Sequence, residues 1–137
     1  MILKMKASVG HIGINLSREE KSFPFWKELL AYLEFTLELD GNHFDANDGH
    51  TFLCFSVAKP GYQEPSFHRK RTGLNHIALR VASPESVDTF VHKFLQPRNI
   101  AQLYGGAKAY PEYAKGYYAV YFEDPDRIKV EVAYEGE

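Results

Sequence analysis

Apolar and polar positions alternate through Gly10-His11-Ile12-Gly13-Ile14-Asn15-Leu16, and again through Asn75-His76-Ile77-Ala78-Leu79-Arg80-Val81. A period of two is the signature of a half-buried strand. The two stretches align His11 with His76, 65 positions apart, so the chain reads as two copies of one unit. Each strand runs into a helix start. Ser17-Arg18-Glu19-Glu20 has the pattern of a capping box with Ser17 as the cap. Ser83-Pro84 places a cap before a proline in the first turn, where the missing N–H is harmless. Phe25, Leu29, Leu30 and Leu33 share a face of the first helix, and Val87, Phe90, Val91 and Phe94 a face of the second, which Pro97 ends.

Strand-like segments follow each helix. They cover 35–39, a short piece near Phe44 and 51–57 in the first copy, then 101–104, 117–123 and 128–134 in the second. Turn signals separate them at Asp40-Gly41-Asn42, Asn47-Asp48-Gly49 and Asp124-Pro125-Asp126. Each copy therefore predicts βαβββ, over 7–58 and 74–135 of a single domain 1–137. The polar stretch 59–73, with Pro60, Gly61 and Pro65, predicts a linker. The second copy is longer by about 13 residues around 105–116, either a lid or a surface excursion; Tyr104, Tyr110 and Tyr113 tilt the reading toward a lid.

Length and composition narrow the function. The chain has 137 residues, 45% hydrophobic and 25% charged, which fits one globular domain and excludes bulk disorder. A net charge of −2 gives no electrostatic case for nucleic acid. Lys59 and the run His68-Arg69-Lys70-Arg71 are the basic concentration, read as a solvated loop or, less often, an anion site. No stretch approaches the ~20 apolar residues of a membrane span, and residues 1–6 lack a leader's apolar core. Cys54 is the single cysteine, so no intrachain disulfide forms, and a reducing, cytoplasmic setting is expected. Nine tyrosines lean toward a lined pocket.

Two histidines at matching points of repeated strands are candidates for a metal site. If the copies pack about a pseudo-twofold axis, both imidazoles can face inward. Glu131, between Val130 and Val132, must be paired, hydrated or metal-bound if it faces the same way. Two His and one carboxylate leave open positions for substrate. The position matching Glu131 in the first copy reads as Leu53, or Phe55 with a register shift of two, and neither can ligate. Cys54 then faces the opposite side as a small apolar residue. His43, His50, His68 and His92 fall on turns, linker or helix and read as solvated. Tyr113, Tyr117 and Tyr118 are candidates to line a pocket or pack its rim. No Ser-His-Asp arrangement is traceable by motif.

The run Gly10-His11-Ile12 to Ser17, then Leu74-Asn75-His76-Ile77-Ala78-Leu79-Arg80-Val81, then Tyr121-Phe122-Glu123-Asp124-Pro125-Asp126 through Glu131, resembles the vicinal oxygen chelate superfamily. That superfamily includes glyoxalase I, extradiol dioxygenases, fosfomycin-modifying enzymes and bleomycin-resistance proteins. The resemblance implies an α+β fold in which two βαβββ modules form an open, cupped mixed β-sheet with helices outside. It implies a divalent metal ion (Zn, Ni, Mn or Fe) held by His11, His76 and Glu131, and a catalytic role for Tyr121, ten positions before Glu131. Leu53 stands where glyoxalase I-like proteins add a glutamate, and Gly13 where fosfomycin-modifying members have threonine. Glu112 to Tyr118 lacks the histidine of the dioxygenases, and Arg127 replaces the usual glycine after Asp-Pro-Asp, which implies a modified turn. The implied activity is that of a metal-dependent enzyme, a lyase or isomerase, transferase or dioxygenase, acting on a small molecule that chelates the metal through vicinal oxygens. The alternative is a non-catalytic binding protein of the bleomycin-resistance type. A homodimer is expected, with no nucleic-acid or membrane partner, and the modules pair within one chain or exchange between two.

Overall fold

The computed structural model describes residues 4–137; Met1–Leu3, part of the segment read as lacking a leader, lie outside the described residues. The chain divides into two compact units between Gln63 and Glu64, inside the expected linker. Among the described residues no helix is long and apolar enough to cross a membrane.

The first unit contains β1 (His11–Leu16), α1 (Glu19–Tyr32), β2 (Thr36–Asp40), β3 (His43–Asn47) and β4 (Phe52–Val57). Its sheet has the order β1-β4-β3-β2, with β1 parallel to β4 and the other pairs antiparallel. Alternation sends Ile14, Leu16, Phe44, Ala46, Leu53 and Phe55 to the buried side. The helix start differs from expectation: the N-cap is Arg18, without a side-chain cap bond, and not Ser17. Glu19 and Glu20 still favour the positive end of the helix. Glu34 at φ +66° ends it, with the Phe35 N–H donating to the Leu30 carbonyl at 2.9 Å. The buried helix face also departs from expectation. Phe23 and Trp26 join Leu29 and Leu30 in the core, whereas Phe25 and Leu33 are only half-buried. The large rings decide this rotation, because Trp26 packs on Phe55 and Phe23 meets Phe44 edge-on, both at 5.0 Å between centroids.

The second unit contains β5 (Ile77–Arg80), α2 (Pro84–Phe90), β6 (Lys108–Ala109), β7 (Tyr118–Glu123) and β8 (Lys129–Tyr134). Its order is β5-β8-β7-β6, again with one parallel pair, β5 with β8. Both units thus carry the expected glyoxalase/dioxygenase-like arrangement, as two four-stranded mixed sheets. Ser83 caps α2 by accepting from the Ser86 N–H at 3.1 Å. A π-helical turn over Val91–Leu95 prolongs the helix, and Val87, Phe90, Val91 and Phe94 are all buried as expected. Arg127 adopts φ +68°, the left-handed conformation that glycine favours, so the substitution alone does not alter the turn's backbone there; Asp124 Oδ1 braces the turn by accepting from the N–H groups of Asp126 and Ile128.

The stretch 101–104 is not a strand. It makes only a bridge from Gln102 to Phe122, and the edge strand is β6, inside the insertion. The insertion folds back so that Leu103, Tyr110 and Tyr117 pack over Ala119, Tyr121 and Ala133. It is a roof on the sheet face opposite α2.

Candidate metal centre

Glu131 lies on β8 opposite Ala78 of β5 and Tyr121 of β7. Its side chain is 2% exposed, so its charge needs compensation within the unit. His76, just before β5, brings Nε2 to 3.1 Å from Glu131 Oε1. Its Nδ1 lies 2.7 Å from Asn75 Oδ1. An amide oxygen only accepts, so Nδ1 donates to Asn75 and Nε2 is the ring atom turned to the carboxylate. A proton on Nε2 or a cation shared with Oε1 would each hold the two atoms at this distance. Bonds of roughly 2.1 Å meeting at a right angle would place two ligand atoms about 3 Å apart. The His76–Glu131 separation therefore fits adjacent ligands of one divalent ion. The second carboxylate oxygen is engaged, since the Tyr117 hydroxyl donates to Oε2 at 2.5 Å.

Tyrosines enclose this pair. Tyr121 is buried beside Glu131, 6.0 Å from the His76 ring between centroids, and burial first, then the Glu131 charge, pushes its phenol up. Burial and the bond to Glu131 do the same for Tyr117. Both phenols therefore stay protonated donors. From the insertion, Tyr110 stacks on Tyr113 and meets Tyr117 and Tyr121 edge-on. Its hydroxyl oxygen is shut off from solvent and has no hydrogen-bond partner among the described residues. Tyr113 is exposed at the rim, and Tyr118 is no part of the lining, because it bonds Asp88 of α2 at 2.7 Å.

The first unit places His11 at the start of β1, its ring stacked on Phe52 at 4.7 Å. Of the three expected ligands, His76 and Glu131 are thus brought together in one unit and His11 stands in the other. Among the described residues no group of three His, Cys, Asp or Glu side chains is placed to hold a metal.

The register corrects the matching of the two copies. Ile12 pairs with Leu53 and Ile77 with Val130, so Leu53 corresponds to Val130, and Cys54 corresponds to Glu131. Cys54 is therefore on the open sheet face and not turned away as an apolar residue. Burial first, then the neighbouring Asp45 carboxylate, push its thiol up. His43 is likewise not a solvated turn residue. It sits on β3, with Nε2 at 3.0 Å from Asp45 Oδ1 and Nδ1 at 3.0 Å from Ser56 Oγ. Since the carboxylate can only accept, His43 donates to Asp45 through Nε2 and shares a second hydrogen bond with the Ser56 hydroxyl through Nδ1. This Ser–His–Asp chain escapes motif reading because its members come from two strands, and the signal was period-two alignment of His43, Asp45, Cys54 and Ser56 on one face. A groove of about 410 Å³, lined by Thr36, Glu38, Asp45, Asn47 and Phe52 of the first unit, opens on that face.

No protein-family model matches the chain. It is 36% identical over 126 residues to the uncharacterised protein YqjT of Bacillus subtilis (strain 168), covering 89% of this chain and 94% of that one. It is also 36% identical to a proposed glyoxalase of Bacillus halodurans, whose crystal structure superposes with a TM-score of 0.79 over 92% of this chain and 94% of that one. A glyoxylase/bleomycin resistance protein/dioxygenase domain from Frankia sp. EAN1pec shares the fold at a TM-score of 0.73 and 18% identity, over 97% of this chain and 95% of that one. With repeated βαβββ units and kinship along nearly its whole length, the chain belongs to the vicinal oxygen chelate superfamily, among the glyoxalase/bleomycin resistance/dioxygenase proteins.

Proposed function

We propose that the chain is a metal-dependent enzyme acting on a small substrate that binds a divalent ion through two neighbouring oxygens. One observation carries the reading: His76 Nε2 and the buried Glu131 carboxylate converge at 3.1 Å, the spacing of adjacent ligands on one divalent ion. His76 and Glu131 are two ligands. His11 is proposed as the third, on its alignment with His76 and on the resemblance alone. A bound divalent metal polarises substrate oxygens and stabilises negative charge that develops on them.

The protein's own groups have separate tasks. Asn75 fixes the His76 tautomer and so keeps Nε2 free to ligate. Tyr117 holds Oε2, which orients Oε1 toward the ion. Tyr121, kept protonated by its surroundings, can donate to a substrate oxygen. The insertion excludes water from above. A cytoplasmic homodimer completes the proposal.

Elemental analysis of protein purified without added metal tests it. Supporting results are about one divalent ion per chain, lost in both His76→Ala and Glu131→Gln while the fold is retained. Metal-free protein, or metal that survives both substitutions, favours a non-catalytic binding module instead.

A further inference from the structure

Lys129 precedes Glu131 by two residues on β8, so both side chains leave the same sheet face, roughly 7 Å apart by strand rise. The partners of the Lys129 ammonium are not carboxylates. Nζ bonds the Tyr104 hydroxyl at 3.2 Å and lies 5.4 Å from the centroids of both the Tyr104 and Tyr121 rings. Arg69 also reaches the Tyr104 phenol. Arg69 and Arg127 both meet the Glu123 carboxylate at this corner. Tyr104 sits at φ +56°, a conformation unfavourable for a tyrosine, so the insertion strains its backbone in presenting this hydroxyl. The phenol is half exposed and therefore open to a ligand.

We propose that Lys129, Tyr104 and Arg69 form a subsite for a small anionic oxygen group, a carboxylate or a phosphate, on the substrate. The Lys129 ammonium, the Tyr104 hydroxyl and the Arg69 guanidinium can each donate, which suits an acceptor-rich anion, although Arg69 also serves Glu123. The lowered ionisation range of the Tyr104 phenol, held down chiefly by its Lys129 bond, reports the same positive field. The inference rests on the reading of His76 and Glu131 as metal ligands for placing both sites within reach of one molecule. The ligand is then a small molecule that offers vicinal oxygens to the metal and an anionic group to this subsite. The run His68-Arg69-Lys70-Arg71 is thus more than a solvated loop, because Arg69 turns inward.

The test uses metal-free protein, so that its outcome is separate from that of metal analysis. Pyruvate and inorganic phosphate are each titrated while backbone amide resonances of β7, β8 and residues 103–106 are followed by NMR. Saturable shifts with at least one probe are expected, and which one binds identifies the anion. Lys129→Met should weaken that binding by roughly tenfold or more, and Tyr104→Phe by a smaller factor. Lys108→Met, which removes a neighbouring surface charge, should leave it unchanged. Absence of saturable binding by both probes overturns the proposal, as does equal weakening by Lys129→Met and Lys108→Met. Folding of each variant is verified by circular dichroism. If the anion binds but no metal is ever retained, the metal reading falls and the subsite stands alone.

Discussion

Cys54 stands in the first unit where Glu131 stands in the second: Cys54 lies opposite Gly13 and Asp45, Glu131 opposite Ala78 and Tyr121. The two copies have thus diverged at their equivalent strand position into a thiol beside a carboxylate and a carboxylate beside a phenol. The consequence in the first unit is a restrained thiol. Burial and the Asp45 charge both disfavour thiolate, so at pH 8 less of Cys54 is ionised than of an ordinary cysteine. Alkylation by iodoacetamide should be slow. Asp45→Asn removes one cause and leaves the other, so the rate at pH 8 should rise by roughly two- to threefold. A rate unchanged or lowered by the substitution would contradict the assigned pairing.

The one-residue error in aligning the copies shows where sequence reading stops. Alternation identified the strands and their buried faces, because half-buried strands must alternate. Register across the sheet is set by pairing and turn geometry, and the pairing of Gly13 with Cys54 and of Ala78 with Glu131 differs by a single position from the alignment read along the chain. Such a shift exchanges the faces, moving Leu53 to the core and Cys54 to the open side. The side of the sheet taken by Glu131 and Tyr121 was legible because each lies on a strand whose own alternation sets its face. The roof was only half legible. A long insertion rich in tyrosine is visible, but its docking depends on tertiary contacts between Tyr110, Tyr117 and the sheet that no local pattern encodes. His43 was misplaced for a related reason: a five-residue strand between two turns carries too little pattern to be told from a turn.

Tyr117 and Tyr110 pose a contrast that stability measurements resolve. Tyr117 donates to a buried carboxylate, so Tyr117→Phe strands Glu131 Oε2 and should cost about 1.5–3 kcal/mol in urea unfolding. Tyr110 has no partner for its hydroxyl, and Tyr110→Phe removes a buried polar group while keeping the ring stack on Tyr113. Its stability should be unchanged or raised by up to about 1 kcal/mol. A loss comparable with that of Tyr117→Phe would show that the Tyr110 hydroxyl has a structural partner.

Tyr104 should reveal itself in an alkaline titration followed by phenolate absorbance. The Lys129 ammonium donates to its oxygen, and with Arg69 it favours the negative form over the neutral one; desolvation acts the other way but is the smaller effect. The phenol therefore ionises below its ordinary value of 10.0, whereas burial and nearby acidic groups move Tyr110, Tyr117 and Tyr121 above it. The Tyr104 phenolate should appear as pH rises ahead of those of Tyr110, Tyr117 and Tyr121. Tyr104→Phe should delete that phase. Lys129→Met should move it to higher pH, because the phenolate loses its main counter-charge while the ring keeps its place. An early phase that survives Tyr104→Phe would assign it to another tyrosine, and one that ignores Lys129→Met would break the link between the two residues.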